Sequence, residues 1–528
     1  MGVDAGEPRV LVIALAALAA LIAAAAVTGD STASAQSAAK KPNIIVIETD
    51  DQTLESFRSE VMPNAVKLIA GDGGTTFTND VVTTPLCCPS RISYLTGQYG
   101  HNNGVLSNRT GYSVLTDKGS VLPAWLQEAG YVTAHVGKWL HQYETTVHPK
   151  TKVAPGWDEW YTALEPRAYY DYKLYVNGGK ESFGDEKRDH LTTVLGHTAL
   201  ELIDKYVPKS KPLYLQLDEY APHSGPGSKT ARCKGAAVPA PSDDGVFKDE
   251  ELPKPPSFNE EDISDKPSFI KELPSLSSAA IAAIQRRYQC DLESLVGVDH
   301  TVKKIWRALG KTGERDNTVI VFTSDNGYFF GEHRLPASKF RVYEEALRVP
   351  LVIRVPQAML GAAPVSEVTQ PVANIDITST LLELAGAEPC APTGGCRVQD
   401  GRSLLDLMGG NTASWPADRG IAVEFKEKGV PSELSASCAF FGVRTATNIY
   451  VEHPLIPDES GNACKPSDEA ELYDLHSDPF ELQNLLPVQP GSPAAQTEQA
   501  LKARLEQLRD CAGIEGRDPQ PPSGHYCD

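Results

Sequence analysis

Six short runs rich in apolar and β-branched residues constrain this chain most: Asn43–Ile47, Val132–Val136, Leu213–Leu217, Thr318–Phe322, Leu351–Ile353 and Ile421–Phe425. Each has strand length, and most are apolar at consecutive positions rather than alternating, as in strands buried on both faces. Between them apolar residues recur at helical spacing; Ile281, Ile284, Tyr288, Leu292, Leu295, Val302, Ile305 and Leu309 step mostly by three or four. Buried strands separated by helices predict an α/β fold with a mainly parallel sheet flanked by helices. From about Cys390 onward the segments shorten and turns and cysteines increase. We therefore expect a main domain over residues 36–390 and a smaller C-terminal α+β subdomain over 391–528. Residues 224–275 break the rhythm with eight prolines and several acids, reading as a long surface excursion, either a substrate-side lid or a structural wrap.

The 528 residues suit one large α/β domain with a smaller companion. Lys and Arg number 49 against 69 Asp and Glu, a net charge of −20 that argues against nucleic acid as a partner. Residues Val10 to Val27 are almost wholly apolar, and Thr32-Ala33-Ser34-Ala35 offers a small-x-small cleavage site. Residues 1–35 thus read as a secretory signal, giving a secreted, periplasmic or cell-envelope protein with no stable membrane insertion after cleavage. The rival reading is an uncleaved anchor, since about 18 apolar residues is near the spanning minimum.

Export permits disulfides. Of ten cysteines, adjacent Cys87 and Cys88 are poor candidates for bonding each other. The remaining eight allow four bridges. Sequence does not fix the connectivity; the pairing expected here is neighbour with neighbour: 233–290, 390–396, 438–464 and 511–527.

Polar residues arrive where four of the strands end. Asn43–Ile47 runs into Glu48-Thr49-Asp50-Asp51, Val132–Val136 into Gly137-Lys138, Leu213–Leu217 into Asp218 and then Ala221-Pro222-His223, and Thr318–Phe322 into Ser324-Asp325-Asn326-Gly327. Ligands of open α/β sheets bind outside the carboxyl ends of the strands, so these loops are placed to share one site. Alone, Asp-Asp after a strand is a solvated turn or cap, and Asp-Asn-Gly a common turn. Together they assemble oxygen ligands suited to a hard cation, Ca²⁺ or Mg²⁺, rather than zinc.

Residues 86–97 read Leu-Cys-Cys-Pro-Ser-Arg-Ile-Ser-Tyr-Leu-Thr-Gly. Pro89 fits the first turn of a helix and Gly97 its C-terminal cap. Cys87 then sits at a helix N-terminus, where backbone N–H groups favour an anion. This segment, with Leu95-Thr96-Gly97, resembles the C-x-P-S-R…T-G signature of the type I sulfatases. Other landmarks of that family follow in order: Asp50-Asp51, Gly137-Lys138-Trp139, Pro222-His223, Ser324-Asp325-Asn326-Gly327, Lys339, and Leu472-Tyr473-Asp474-Leu475 with Asp478-Pro479 and Asn484-Leu485. The Gly137–Tyr143 and Leu335–Lys339 stretches look most like N-acetylglucosamine-6-sulfatase relatives. Leu140 departs from the histidine that many arylsulfatases place there; His141 is its neighbour.

The resemblance implies an alkaline-phosphatase-like fold and hydrolysis of sulfuric esters. It implies that a formylglycine-generating enzyme oxidises Cys87, and not Cys88, to formylglycine. One hydroxyl of the hydrated aldehyde then attacks sulfur, and the second expels sulfate. It further implies a cation held by Asp50, Asp51, Asp325, Asn326 and residue 87. Arg91 would hold formylglycine and the metal-site carboxylates, Lys138, Lys339 and His223 would bind sulfate oxygens, and His223 or Lys339 would protonate the leaving oxygen. With no tandem basic tract and a strongly acidic surface, a terminal sulfate on a carbohydrate, or a small aryl or alkyl sulfate, is the expected substrate. The alternatives are a formylglycine-dependent phosphonate monoester or phosphodiester hydrolase, and a non-catalytic glycan-binding protein.

Overall fold

The structure, a computed structural model, describes residues 1–3, 40–227, 232–392, 395–427, 429 and 436–528. The expected signal segment lies almost wholly outside them. Among the described residues no helix is long and apolar enough to cross a membrane.

Four of the six apolar runs form the centre of a ten-stranded sheet: β1 (Asn43–Asp50), β2 (Val132–Lys138), β3 (Leu213–Pro222) and β4 (Thr318–Ser324). They lie in the order β4-β1-β3-β2 and are mutually parallel, with Ile44 opposite both Tyr214 and Val319. Glu159–Ala163 continues the parallel run beside β2. Leu351–Arg354 joins the other side antiparallel to β4, and short strands complete both edges.

Side chains alternate across this sheet, so apolar residues at successive positions feed two cores. Ile45 and Ile47 point into the core covered by α2 (Leu191–Tyr206) and α3 (Ser278–Thr312), whereas Ile44 and Val46 point into the core beneath α1 (Cys87–Thr96). The predicted helical periodicity at 281–309 falls within α3. Ser277 caps that helix by accepting from the Ala280 N–H, and Gly313, at φ 73°, ends it in the left-handed region.

The sixth run, Ile421–Lys426, heads a separate antiparallel sheet with Ala439–Arg444, Asn448–Pro457 and Cys464–Asp474. Helix Pro493–Leu508 packs on it through Leu501, Leu505 and Leu508. Residues 41–528 nonetheless make one compact unit.

All four neighbour pairings of cysteines are formed, and Cys87 and Cys88 are free and buried. The proline-rich excursion is packed down: Cys233, Ala237, Ser257 and Lys266 within it are buried, and Cys233–Cys290 fastens it to α3. This bridge closes a loop of sequence separation 57. Chain-entropy reasoning gives it about 4 kcal/mol. Replacing both cysteines by serine is expected to lower the melting temperature and speed proteolysis within 224–275. Unchanged melting and digestion would show that contacts other than the disulfide hold the wrap.

Candidate active site

The strand ends converge as expected. Asp50 closes β1, Lys138 closes β2, His223 follows β3, and Asp325 and Asn326 follow β4. Gly137 is required where β2 meets β3: its φ is 117°, and a Cβ there would collide with the Asp218 carbonyl. Helix α1 starts at Cys87 and ends at Gly97, at φ 62°. Its first residue abuts the strand ends, and the carboxylate oxygens of Asp50, Asp51 and Asp325 lie with Cys87 Sγ all within 4.8 Å of one another. His223 joins Asp50 and Cys87 in an overlapping group of the same tightness.

Two lysines complete the cluster. Lys339 Nζ is 2.8 Å from Cys87 Sγ and 2.5 Å from Asp51 Oδ1. Lys138 Nζ bonds Asp50 Oδ2 and lies 3.7 Å from Asp325 Oδ2. Burial alone would raise the Asp50 carboxyl; Lys138, His223 and Lys339 outweigh it and hold it at about 2. Burial likewise opposes ionisation of Asp51, but Lys339 and His223 bring it below the usual carboxylate range. The Cys87 thiol is pushed up to about 11 by burial, against the pull of Lys138 and Lys339. An unmodified Cys87 is therefore a poor thiolate nucleophile at neutral pH.

The residues fit a hard cation. Asn326 Nδ2 donates to Asp51 Oδ1 at 2.6 Å, and its buried Oδ1 has no hydrogen-bond partner. Asp51 is held in the left-handed region at φ 71°, where a non-glycine residue is strained. Three carboxylates and one orphaned amide oxygen in a buried cluster make an oxygen donor set of the kind Ca²⁺ and Mg²⁺ take.

Arg91 reaches the site carboxylates from below. Its Nε meets Asp325 Oδ2 at 2.9 Å, as a partner of the site carboxylates should. Its remaining bonds go to Glu48 Oε2 at 2.8 Å, Asp218 Oδ1 at 3.2 Å and the Thr49 carbonyl, rather than to Cys87. The guanidinium lies beneath the site, tying α1 to β1, β3 and β4. Sequence reasoning did not assign Glu48 and Asp218 as its partners. The available signal was an acid inside a strand that must be buried on both faces, which needs a cationic partner. His135, inside β2, adds to this layer through Asp218 Oδ2 at 2.9 Å.

Cys88 is a buried bystander whose thiol is directed at the His141 carbonyl. Leu140 sits in the core beneath α1. His141 lies beside the site instead, with Nε2 3.4 Å from Glu165 Oε1 and Nδ1 buried without a partner. Burial, with Arg167, Lys138, Lys339 and His223 acting in the same sense, holds its imidazole well below the ordinary histidine value, hence neutral at pH 7. His223 stacks on Tyr220, and Nδ1 donates to the Ser224 carbonyl at 2.6 Å, leaving Nε2 facing Asp51 at 3.8 Å.

The Sulfatase family profile matches residues 42–387, and that of the N-sulphoglucosamine sulphohydrolase C-terminal region matches 331–511. The chain belongs to the sulfatase family, hydrolases of sulfuric esters. It is 30% identical to human N-acetylglucosamine-6-sulfatase over 400 residues, covering 74% of this chain and 68% of the relative. It is 33% identical to a Caenorhabditis elegans homolog of extracellular sulfatase Sulf-1 over 69% of this chain, and spans about half (49%) of that longer protein. A solved structure in complex with its substrate D-glucosamine-2-N,6-O-disulfate superposes with a TM-score of 0.67 at 23% identity, covering 89% of this chain and 97% of the other. The fold is the alkaline-phosphatase-like one.

The Arg91 layer yields a stability test. Arg91→Ala leaves buried carboxylates unpaired, which costs about 3–5 kcal/mol. A large drop in melting temperature is expected, with Arg91→Lys recovering part of it. An unchanged melting temperature would show that the guanidinium is dispensable to the layer.

Proposed function

We propose that this sulfatase removes a terminal sulfate from a carbohydrate, of which N-acetylglucosamine 6-sulfate is one candidate, or from a small aryl or alkyl sulfate. The reading takes Cys87 as converted to formylglycine by a formylglycine-generating enzyme, and Asp50, Asp51, Asp325 and Asn326 as holding Ca²⁺, with Mg²⁺ the alternative. The supporting observation is the placement of Cys87 Sγ, at the start of α1, among three carboxylates and beside Lys339. Sγ stands where the oxygens of a hydrated aldehyde would project. The name of the human relative supports the carbohydrate class. The Sulf-1 homolog's name supports export.

Formylglycine would supply the nucleophilic hydroxyl, and a bound cation would polarise sulfate oxygens and stabilise the charge that develops on them. The chain's own groups do the rest. The positive end of the α1 dipole lies at residue 87 and favours an anion there. Lys138 and Lys339 neutralise sulfate oxygens as bonding to sulfur changes. The His223 Nδ1–H is committed to the Ser224 carbonyl, so a proton for the leaving oxygen must come from Nε2 of the imidazolium. Burial brings the His223 pKa below its ordinary value, against the pull of Asp50 and Asp51, which weighs against a standing imidazolium. Lys339 is the competing acid, since Asp51 and Cys87 hold it well above its ordinary value against burial, hence protonated at pH 7.

Peptide mass spectrometry of active protein should find the aldehyde at residue 87 and an intact thiol at 88. An unmodified Cys87 in active protein would overturn the assignment. Cys87→Ala should abolish turnover with melting unchanged, and exhaustive chelation should suppress activity until Ca²⁺ or Mg²⁺ is restored. Parallel assays on sulfated monosaccharides, an aryl sulfate and matched phosphate and phosphonate esters test the substrate class. A phosphonate turned over faster than every sulfate would move the reading to the phosphoester branch. His223→Ala should impair carbohydrate sulfates far more than an activated aryl sulfate, whose phenolate leaves without protonation. Equal losses on both would remove His223 as the acid and leave Lys339.

A further inference from the structure

We propose that the chain binds a second divalent cation, of the first-row transition-metal class with zinc as the best match, between His333, Glu345 and Glu481. The cluster shares no residue with the Asp50–Asp325 site, and the proposal is independent of how that site is read. His333 and Glu345 lie on the segment between β4 and Leu351, whereas Glu481 follows the last strand of the C-terminal sheet. One ligand atom from each lies within 4.8 Å of the other two.

Three observations separate this cluster from a surface patch of acids. First, His333 Nε2, Glu345 Oε2 and Glu481 Oε1 are all buried and none has a hydrogen-bond partner. His333 and Glu481 are 0% exposed. Second, the opposite atom of each side chain is bonded outward. His333 Nδ1 meets Glu260 Oε2 at 2.7 Å, Glu345 Oε1 accepts from Ser257 Oγ at 3.1 Å, and Glu481 Oε2 accepts from the Glu344 N–H at 2.8 Å. A carboxylate on the far nitrogen is the usual partner of a metal-bound histidine, because it fixes the tautomer with the lone pair at the metal. Third, His333 Nε2 and Glu345 Oε2 stand 3.8 Å apart, close enough for an ion pair but beyond hydrogen-bond distance, which leaves a gap between the two atoms.

One imidazole nitrogen and two carboxylates are a borderline donor set that suits zinc and leaves a fourth position open. Ca²⁺ prefers oxygen alone. Glu345 also borders a cavity of about 670 Å³, together with Glu344, Tyr288, Phe330 and the exposed Phe480. The position suggests what the cation does. It would bind the C-terminal segment to the stretch that carries Lys339, six residues after His333, and so act on the stability of that loop.

The test uses the full chain, stripped by chelation, incubated with equimolar ZnCl₂ or MnCl₂, desalted and measured by elemental analysis. Wild type should retain about one transition-metal ion per chain and melt at higher temperature when loaded, because binding is linked to folding. Glu481→Gln keeps the acceptor for the Glu344 N–H and removes the ligand charge; it should lose the zinc and the melting shift while still taking up Ca²⁺. Glu260→Gln, one shell out, should weaken zinc binding by about 10–100-fold. Should Glu481→Gln fail to fold, anomalous diffraction at the zinc edge from loaded wild type decides, with the peak expected among His333, Glu345 and Glu481. Failure of wild type to retain zinc or manganese, a peak elsewhere, or a Glu481→Gln protein that binds zinc as wild type does overturns the proposal.

Discussion

The buried guanidinium of Arg91 is the interaction on which the site depends. It reaches Glu48 from β1, Asp218 from β3 and Asp325 after β4 while standing on α1. Burying so many ionisable groups is not an efficient source of stability, because desolvation offsets most of the attraction. What the arrangement contributes is position. A planar fork with fixed donor directions admits few placements of its partners. The start of α1, and Cys87 with it, is thereby locked against Asp50 and Asp325. Asp325 is engaged on both sides, with Arg91 below and Lys138 near the same oxygen.

The parallel sheet supplies the other half of the geometry. Adjacent parallel strands end on the same side, so Asp50, Lys138, His223 and Asp325 meet without long loops. Lys339 does not arrive this way. It comes from the irregular segment after β4, and that segment is held by the proline-rich wrap: Arg334 donates to the carbonyls of Glu260, Glu261 and Leu273, and His333 bonds Glu260. Lys266, in the same wrap, donates to the Glu481 and Leu482 carbonyls. The excursion thus links the Lys339 segment to the C-terminal residues.

The central strands and the site loops were legible because local chemistry determines them. An apolar strand such as Thr318–Phe322 must be covered on both faces, and its polar exit Ser324-Asp325-Asn326 has nowhere to go but the sheet edge. The Cys-Cys-Pro-Ser-Arg run was legible by resemblance. Even so, the partners of Arg91 were not assigned, because Glu48 and Asp218 come together only through strand order, which periodicity does not encode. The antiparallel setting of Leu351–Arg354 and the second sheet under Ile421–Lys426 were hidden for the same reason. The wrap resisted interpretation because its anchors are backbone carbonyls and a disulfide, neither of which leaves a hydropathy pattern.

Charge explains why an acidic protein can attract an anionic ester. Burial pushes the Glu48 carboxyl well above its ordinary value, so the Arg91 guanidinium is matched by Asp218, leaving Asp50, Asp51 and Asp325 against the ammonium groups of Lys138 and Lys339. Three carboxylates outnumber two ammoniums by one, so the site by itself would repel a sulfate monoester. On the proposed reading a divalent cation would reverse that sign, leaving one net positive charge to match the single negative charge of the ester. On the proposed reading, substrate affinity as well as turnover then depends on cation loading. Lys138 and Lys339, which pair with Asp50 and Asp51, would with a cation bound be free to turn toward sulfate oxygens.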